Sequence, residues 1–166
     1  MAATEGGEAR GYDAHKKVQG RKRHIVVDTL GLLLAVVVTG AGVDDARAAP
    51  AALAQLPPDE FPRLRLLWAD QKYHNHELYG WVAEHSDVEL EIVSRPAGAK
   101  GFVLLPRRWV VERSFAWLKR CRRLSLDREK STRSCEAMIR LGMIHLMLHR
   151  LRPADTAREF HYRPAA

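Results

Sequence analysis

The segment of this chain with the clearest capacity for chemistry runs from Pro106 to Leu124, PRRWVVERSFAWLKRCRRL, and holds one acid among seven Lys and Arg residues. Pro is favoured in the first turn of a helix, so we expect a helix to begin at Pro106. In that helix Arg108, Glu112 and Lys119 are four and seven residues apart and share one face. Such a face fits either a metal ligand flanked by phosphate-binding bases or a surface ion pair of little energetic value.

A second acid stands at the end of a predicted strand. The segment FPRLRLLWAD predicts a short strand from about Leu64 to Ala69, followed by Asp70. The carboxyl ends of strands are where α/β sheets place their chemistry. Two distant carboxylates that converge in the fold could hold the two Mg²⁺ ions of a phosphoryl-transfer site. The spacing of Asp70 and Glu112 in the sequence does not by itself show that the two carboxylates converge.

The elements that must position these acids alternate between strands and helices. HIVVDTLGLLLAVVVTG predicts a hairpin, and its second apolar run, Leu32 to Thr39, has almost no polar alternation, which indicates burial on both faces. Asp44 and Asp45 predict the start of a helix that ends near Leu56. The remaining predicted elements are a helix from about Asn75 to His85, a strand from Leu90 to Val93, the loop RPAGAKGF, the Glu112 helix and a last helix from Ser134 to Leu151. The order β-β-α-β-α-β-α-α predicts an α/β fold.

Apolar side chains near the C-terminal end are expected in the core. The last predicted helix is apolar at Met138, Leu141, Ile144, Leu148 and Leu151. Their helical spacing predicts that this face packs on the rest of the protein. Trp109 could stack on a nucleic-acid base, but the large apolar area of its ring favours a place in the core.

The excess of basic residues favours a polyanionic partner. The formal net charge is +7 and the pI is about 9.8, and Lys and Arg that neutralise phosphates release condensed counterions. Nucleic acid is the first candidate and an acidic membrane surface the second. The chain has no apolar run of the ~20 residues that a membrane span needs, and MAATEGGEAR lacks the apolar core of a signal peptide. We therefore expect a cytosolic protein.

A basic segment near the N-terminal end fits contact with a phosphate backbone. GYDAHKKVQGRKRH is predicted to be a loop between the turn-forming Gly11 and Gly20, after a flexible lead-in at residues 1–10. An ordinary solvated charge run is the alternative. The basic residues of this segment are Lys16, Lys17, Arg21, Lys22 and Arg23.

Histidines and cysteines offer weaker candidates. His74 and His76 stand close to Asp70 and could contact a metal or phosphate, although solvated loop histidines are the more common case. A pair of histidines at positions 145 and 149 has the i, i+4 spacing of a helical zinc site, but no third ligand motif accompanies it. The two cysteines, Cys121 and Cys135, form no C-x-x-C motif and are expected to be reduced structural thiols.

Several segments together resemble one protein family. They are GYDAHKKVQGRKRHIVVDTLGLLLAVVVTGAGVDDARAA, LRLLWADQKY, EIVSRPAGAKGFVLLPRRWVVERSFAWLKRCRRL and AMIRLGMIHLMLHRL. The chain is similar over these segments to bacterial insertion-sequence transposases of the DDE type, in the insertion-sequence-five group. The resemblance covers Gly11 to about Arg152, far more than one short motif.

The resemblance implies an RNase H-like mixed sheet flanked by helices and a site that uses two Mg²⁺ ions. It places a catalytic, metal-binding Asp in WAD, here Asp70, and the catalytic, metal-binding Glu in RWVVER, here Glu112. Arg108 and Lys119 match the Arg and Lys that accompany this Glu, whereas the Tyr expected three residues before the Arg is Leu105 here. The implied DNA contacts are the basic segment above together with Arg107, Arg113, Arg120, Arg122 and Arg123.

The chain departs from the family pattern at its N-terminal end. In the family the first catalytic Asp lies on a central strand that precedes GYD, so we expect this chain to lack that strand. Asp13 and Asp28 belong to later motifs and cannot be carried over as the missing ligand. The Gly-Gly that usually follows WAD is Gln71-Lys72. We expect residues 11–152 to be the C-terminal part of the catalytic domain and residues 153–166 to be a tail.

The function implied by the resemblance is DNA cleavage and strand transfer at insertion-sequence ends, in the bacterial cytoplasm and on the nucleoid when bound to DNA. The absent Asp predicts a chain that is inactive alone and holds Mg²⁺ weakly. The alternative is a non-catalytic DNA-binding remnant that pairs with itself or with full-length transposase and interferes with it. A basic RNA-binding protein has only the charge in its favour, since no aromatic RNA-binding motif is present.

Overall fold

The computed structural model describes residues 7–14, 17–94, 98 and 107–152, and it confirms the α/β class. The strands are β1 Gly11–Asp13, β2 Val18–Val27, β3 Leu33–Gly40, β4 Leu66–Asp70 and β5 Glu89–Val93. The helices are α1 Asp45–Leu53, α2 His76–His85, α3 Arg108–Arg120, α4 Arg122–Ser125 and α5 Thr132–Leu151, with a short 3-10 helix at Gln71–Tyr73. Pro106, Leu105 and most of the RPAGAKGF loop lie outside the described residues. No described helix is long and apolar enough to cross a membrane.

The described strands form two sheets rather than one mixed sheet. β2 pairs antiparallel with β1 and with β3, and β4 pairs parallel with β5 so that Asp70 lies opposite Val93. Within the described ranges no strand pairing joins β2 to β4. Helix α3 packs against both sheets, through β2 of the first and β4 of the second.

The outer edge of β3 is covered by side chains. Gln55 accepts a hydrogen bond from the Val36 amide at 3.4 Å and donates one to the Val36 carbonyl at 3.0 Å. Glu136 of α5 accepts from the Val38 amide at 2.9 Å. Among the described residues, no hydrogen bond of this kind covers the opposite edge of β2 at Ile25. One edge of this sheet is therefore protected against pairing while the other is available to a strand.

Strand β2 contains half of the predicted basic loop, and that prediction is wrong. Successive side chains of a strand point to opposite faces, so Arg21 and Arg23 point towards the α4–α5 side and Lys22 and His24 towards α1. Hydrogen bonds and ion pairs with groups on both sides hold these residues. The partners come from distant parts of the chain, so a local composition argument could not find them.

Two apolar clusters form the core. The larger joins Val36 and Val38 of β3 to Leu118 of α3, Leu124 of α4 and the buried face of α5. The smaller lies between α1 and α2 and is built from Ala46, Ala49, Leu78 and Val82. The two clusters place α1 and α5 on opposite sides of the β2–β3 hairpin.

Helix α5 presents to the core a different face from the one predicted. Its buried residues are Cys135, Ile139 and Met143, whereas Leu141, Ile144, Leu148 and Leu151 are exposed, by 55%, 46%, 58% and 82%. The helix is apolar on two faces, and both have helical spacing. Helix α4 packs closely on α5 at Gly142, where a Cβ would lie 2.8 Å from Leu124 Cδ1. The absence of that atom lets α4 approach α5.

The turn of the β2–β3 hairpin docks on α3. Asp28 accepts hydrogen bonds from the amides of Leu30 and Leu32, which closes the turn. Gly31 has a φ of +81°, and a Cβ there would lie 2.7 Å from Ser114 Oγ. Ser114 Oγ is buried and donates to the Gly31 carbonyl at 2.7 Å. This contact fixes the start of β3 against the helix that carries Glu112.

Arg21 ties the start of β2 to the segment that precedes α5. Its side chain is 2% exposed and its Nη1 lies 3.2 Å from Oδ2 of Asp127, which is 1% exposed. The guanidinium also donates to the carbonyls of Glu8, Glu129, Lys130 and Ser131. A buried charge needs this many partners because water cannot solvate it.

We expect Arg21→Ala to lower the free energy of unfolding by about 3–5 kcal/mol, since it removes the buried guanidinium that pairs with the Asp127 carboxylate. Urea denaturation followed by circular dichroism measures the change. Arg63→Ala removes an exposed cation and should change stability by less than about 0.5 kcal/mol. Equal midpoints for Arg21→Ala and the wild type would contradict the structural role of Arg21.

Candidate functional site

Asp70 is the last residue of β4 and shapes the loop that follows. Its Oδ1 accepts a hydrogen bond from the Lys72 amide at 2.9 Å and caps the 3-10 helix Gln71–Tyr73. Ser94, just beyond β5, donates through its hydroxyl to the side-chain oxygen of Gln71. Gln71 and Lys72 therefore form an ordered turn anchored to the end of β5. The carboxylate of Asp70 lies at the carboxyl edge of the parallel pair, as predicted.

The carboxylate of Asp45 lies beside this turn and is surrounded by cationic groups. Lys22 Nζ lies 3.4 Å from its Oδ1, His24 Nδ1 3.6 Å from the same oxygen, and Lys72 Nζ 3.9 Å from Oδ2. Sequence reasoning gave Asp45 only a capping role, and the cap is in fact Asp44, which accepts from the Ala46 amide. The feature of the sequence that could have indicated this role is the pair of acids, Asp44 and Asp45, shortly after the strand β3. Asp45 connects β2, α1 and the Asp70 turn.

Burial and charge perturb two titratable groups beside Asp45. Burial raises the pKa of the Tyr73 hydroxyl, and the nearby charges of Asp45 and Asp70 raise it further. Tyr73 is therefore a neutral hydrogen-bond donor at all ordinary pH values. Burial lowers the pKa of His24, although Asp45 acts in the opposite direction. The His24 ring is neutral at neutral pH, and Nε2 lies 2.9 Å from Thr39 Oγ1.

Glu112 lies on the exposed side of α3. Its carboxylate is 63% exposed and lies 3.3 Å from Arg108 Nε, one helical turn earlier. Lys119 is also exposed. Arg107 precedes the helix with a left-handed φ of 71°, and its guanidinium lies 4.1 Å from the ring centroid of Trp68. Trp68 is two residues before Asp70 in β4, so the start of α3 is held against the strand that ends at Asp70.

The two predicted acidic ligands are chemically suitable for Mg²⁺. Carboxylate oxygens are the ligands that Mg²⁺ prefers, and Asp70 and Glu112 would supply two of them. Over the ranges that the structure describes, no group of three or more His, Cys, Asp and Glu side chains is placed to hold a metal ion. No hydrogen bond or ion pair joins Asp70 to Glu112 within those ranges. Asp45 is already paired with Lys22 and Lys72.

The predicted DNA contacts on β2 are mostly engaged inside the protein. Arg21 is buried and fully occupied, so its assignment as a DNA contact is wrong. Lys22 Nζ donates to the Val43 carbonyl at 2.7 Å, and Arg23 Nη1 donates to the Leu124 carbonyl at 3.0 Å. Lys17 is exposed, and Lys16 lies outside the described residues. Because β2 is covered on both faces, most of its basic side chains are not available to bind an external phosphate.

The predicted DNA contacts on α3 and α4 are more accessible. Arg120 and Arg122 are exposed at the junction of the two helices. Arg123 is 62% exposed and lies 2.9 Å from Glu129. Arg107 stacks on Trp68, as described, and lies 3.9 Å from Glu91. The guanidinium of Arg113 lies between Trp109 and Trp117.

Trp109 is 44% exposed, so its predicted place in the core is wrong. The core face of α3 is formed by Ser114 and Leu118, and Trp109 lies away from both because it is about one and a half turns before Ser114. Its ring contacts the guanidinium of Arg113.

The prediction of free cysteines is confirmed, and the four candidate histidines are exposed. His74 and His76 are exposed, and His74 Nδ1 lies 2.8 Å from the Tyr79 hydroxyl. The rings of His145 and His149 contact each other on the exposed side of α5. The thiols of Cys121 and Cys135 are free, and burial raises the pKa of Cys135.

Comparison with known proteins connects this arrangement to one family. Residues 2–147 match the model of the family described as Transposase DDE domain. The chain is 32% identical over 142 residues to a Burkholderia cepacia protein whose name assigns it as the transposase for insertion sequence element IS402. The matched region covers 82% of this chain and 66% of that relative. The chain therefore spans about two thirds of the length of the curated relative it matches.

We expect the stability of the protein to fall with acid partly through His24. Its pKa in the folded state lies below the ordinary value of 6.5, so the unfolded state binds the proton more tightly. The contribution is complete above the unfolded pKa and is lost as the pH falls from about 6.5 towards the folded pKa. His24→Gln should reduce the stability difference between pH 7.5 and 5.0, measured by urea denaturation. The matched variant His85→Gln, at an exposed histidine, should leave that difference unchanged, and equal pH responses in all three proteins would rule this role out.

Proposed function

The chain belongs to the Transposase DDE domain family, and we propose that it carries the Asp70 and Glu112 part of an RNase H-like site for DNA cleavage and strand transfer at insertion-sequence ends. The observation that carries the proposal is the contact between Arg107 and Trp68. It holds the start of the Glu112 helix against the strand that ends in Asp70. In a protein of this family that arrangement supports a shared role for the two acids.

In this proposal each residue near the acids has a defined task. Asp70 and Glu112 would hold Mg²⁺, and the metal when bound would activate a nucleophile and stabilise the leaving oxygen. Arg108 orients the Glu112 carboxylate through their ion pair. Lys119 is two turns from Glu112 on the same face and contacts a phosphate. Asp45 and Lys72 hold the turn after Asp70 in place.

Duplex DNA is the proposed partner. Lys17, Arg120 and Arg122 are exposed cations, and Lys or Arg side chains of this kind bind the backbone without reading its sequence. The proposed location is the bacterial cytoplasm, with association to the nucleoid through DNA. Binding of this sort accounts for the net charge of +7.

A second function is favoured by the separate sheets. Within the described residues, one edge of β2 beyond its pairing with β1 and one edge of β4 have no strand partner, and each could accept a strand from another chain. A polypeptide of this kind could pair with itself or with a full-length transposase, bind DNA and interfere with transposition without catalysis. The two candidates share the DNA-binding surface and differ in whether the metal site is complete.

Affinity for random duplex DNA should fall steeply with salt, because each phosphate contact releases counterions. Replacing Lys119, Arg120 and Arg122 by Ala together should reduce the slope of log affinity against log salt by about 2 to 3. Fluorescence anisotropy with a labelled duplex measures both slopes. The control variant replaces Arg47, Arg63 and Arg65 by Ala, which removes the same charge elsewhere. Affinity that does not depend on salt would contradict duplex binding.

We expect no measurable strand transfer by this chain alone with Mg²⁺ or Mn²⁺, because the part of the chain that the structure describes brings no three His, Cys, Asp or Glu side chains together to hold the ions. Gel analysis of a DNA carrying the element ends tests this. The paired variants are Glu112→Ala and Glu84→Ala, the second at an exposed acid on α2. Cleavage by the wild type and by Glu84→Ala that disappears in Glu112→Ala would show that the site is complete and would favour the enzyme over the remnant.

A further inference from the structure

Helix α5 carries a row of exposed apolar side chains on the face that points away from the core. The members of this row, which are between 46% and 82% exposed, are Leu141, Ile144, Leu148 and Leu151. They lie on the side of the helix opposite the buried Ile139. Single exposed apolar side chains are common on protein surfaces, but four in one row form a contiguous patch of the kind that marks an interaction site. We call this row the α5 stripe.

The spacing of the α5 stripe is that of a seam between two helices. Its successive members are three, four and three residues apart, which is the a/d pattern of a heptad repeat. Ala137, seven residues before Ile144, is exposed on the same line and extends the seam towards the start of the helix. A narrow stripe of this kind fits another α-helix laid along it, whereas a helix that lies in a lipid surface presents a wide apolar face.

Basic side chains border the α5 stripe on both sides. The bordering residues, all of them exposed, are Arg133 and Arg140 on one side and His145 and Arg152 on the other. Arg140 also donates to the side chain of Gln55 at 3.1 Å, so part of its hydrogen-bonding capacity is used within the protein. Glu136 is the only acid of α5, and it is turned towards β3, where it accepts from a strand amide. The α5 stripe is therefore an apolar seam with basic borders.

We propose that the α5 stripe binds an amphipathic helix of another protein, whose own apolar seam is flanked by Asp and Glu. Residues beside a seam between helices form ion pairs across it and select the partner. Acids on the incoming helix would meet the basic borders of the α5 stripe, and attraction to a chain of net charge +7 would speed the encounter. This interaction goes beyond DNA binding and depends neither on the metal site nor on the strand edges.

A second copy of the chain fits the α5 stripe less well. Two α5 helices that pair in either direction bring basic borders together, and like charges across a seam disfavour association. DNA also fits poorly, because its phosphates and sugars gain little from contact with four apolar side chains. An acidic amphipathic helix matches both the seam and its borders.

The probes for this interaction are two fluorescein-labelled designed peptides of about three heptads, both with Leu at every a and d position. One peptide carries Glu at its e and g positions and the other carries Lys, so like charges keep each peptide from pairing with itself. Fluorescence anisotropy at one salt concentration measures the binding of each peptide to the full chain. The Glu peptide should bind at least about tenfold more tightly than the Lys peptide, because several ion pairs form along the seam.

Leu148→Ser separates the α5 stripe from general attraction to a basic protein, because it removes apolar area without changing the charge. It should weaken binding of the Glu peptide about tenfold. The matched control is Leu30→Ser, which removes a side chain of similar exposure, 60% against 58%, from the hairpin turn and should leave binding unchanged.

The borders are tested by a change of charge. Replacing Arg133 and Arg152 together by Glu should remove most of the preference for the Glu peptide. The same replacement at Arg47 and Arg63, two exposed basic residues outside α5, changes the net charge equally and should preserve the preference.

Three results would overturn the proposal: no binding of the Glu peptide, equal affinity for the two peptides, or binding that Leu148→Ser does not weaken. A dimer in sedimentation equilibrium that Leu148→Ser abolishes and the Glu peptide does not dissociate would also overturn it, since the occupant would then be a second copy. Circular dichroism spectra and urea midpoints that match the wild type ensure that each variant is folded.

Discussion

The buried ion pair between Arg21 and Asp127 is the interaction on which the other parts of the structure depend. A guanidinium that is 2% exposed must have its donors satisfied, so the carbonyls of Glu129, Lys130 and Ser131 are drawn around it. Those residues immediately precede α5 and set the position where that helix begins. Helix α5 in turn brings Glu136 to the outer edge of β3.

The same strand organises the candidate site from its other face. Because side chains alternate along β2, the neighbours of Arg21 and Arg23 point towards α1, where Lys22 and His24 meet the Asp45 carboxylate. Lys72 extends this contact to the turn after Asp70. The position of the turn after Asp70, a proposed catalytic residue, therefore depends on β2, which carries basic side chains on both of its faces. In the described part of the chain the two sheets share no strand pairing, and both α3 and the Asp45 contacts connect them.

The local character of most elements could be predicted from the sequence. The alternation or continuity of apolar residues marked β3, β4 and β5, and Asp70 was correctly placed at the end of its strand because WAD follows an apolar run. The acidic cap of α1 and the free thiols were also predicted, since caps and thiols depend on nearby residues and composition. Each of these features is decided by interactions within a few residues.

By itself the sequence determined the α/β class, the family and the residues available for chemistry, because these depend on local patterns and on shared motifs. Only the tertiary structure decided which basic residues are exposed, which face of α5 is buried and where Trp109 lies. Arg21 and Lys119 both lie in basic segments of the sequence. Lys119 is exposed, whereas Arg21 is buried and pairs with Asp127, which is more than a hundred residues away in the chain. Leu141 and Met143 belong to two apolar faces of one helix, and Met143 is the one that packs with β3, α3 and α4 in the core. Contacts between distant segments carry that information, and no local pattern contains it.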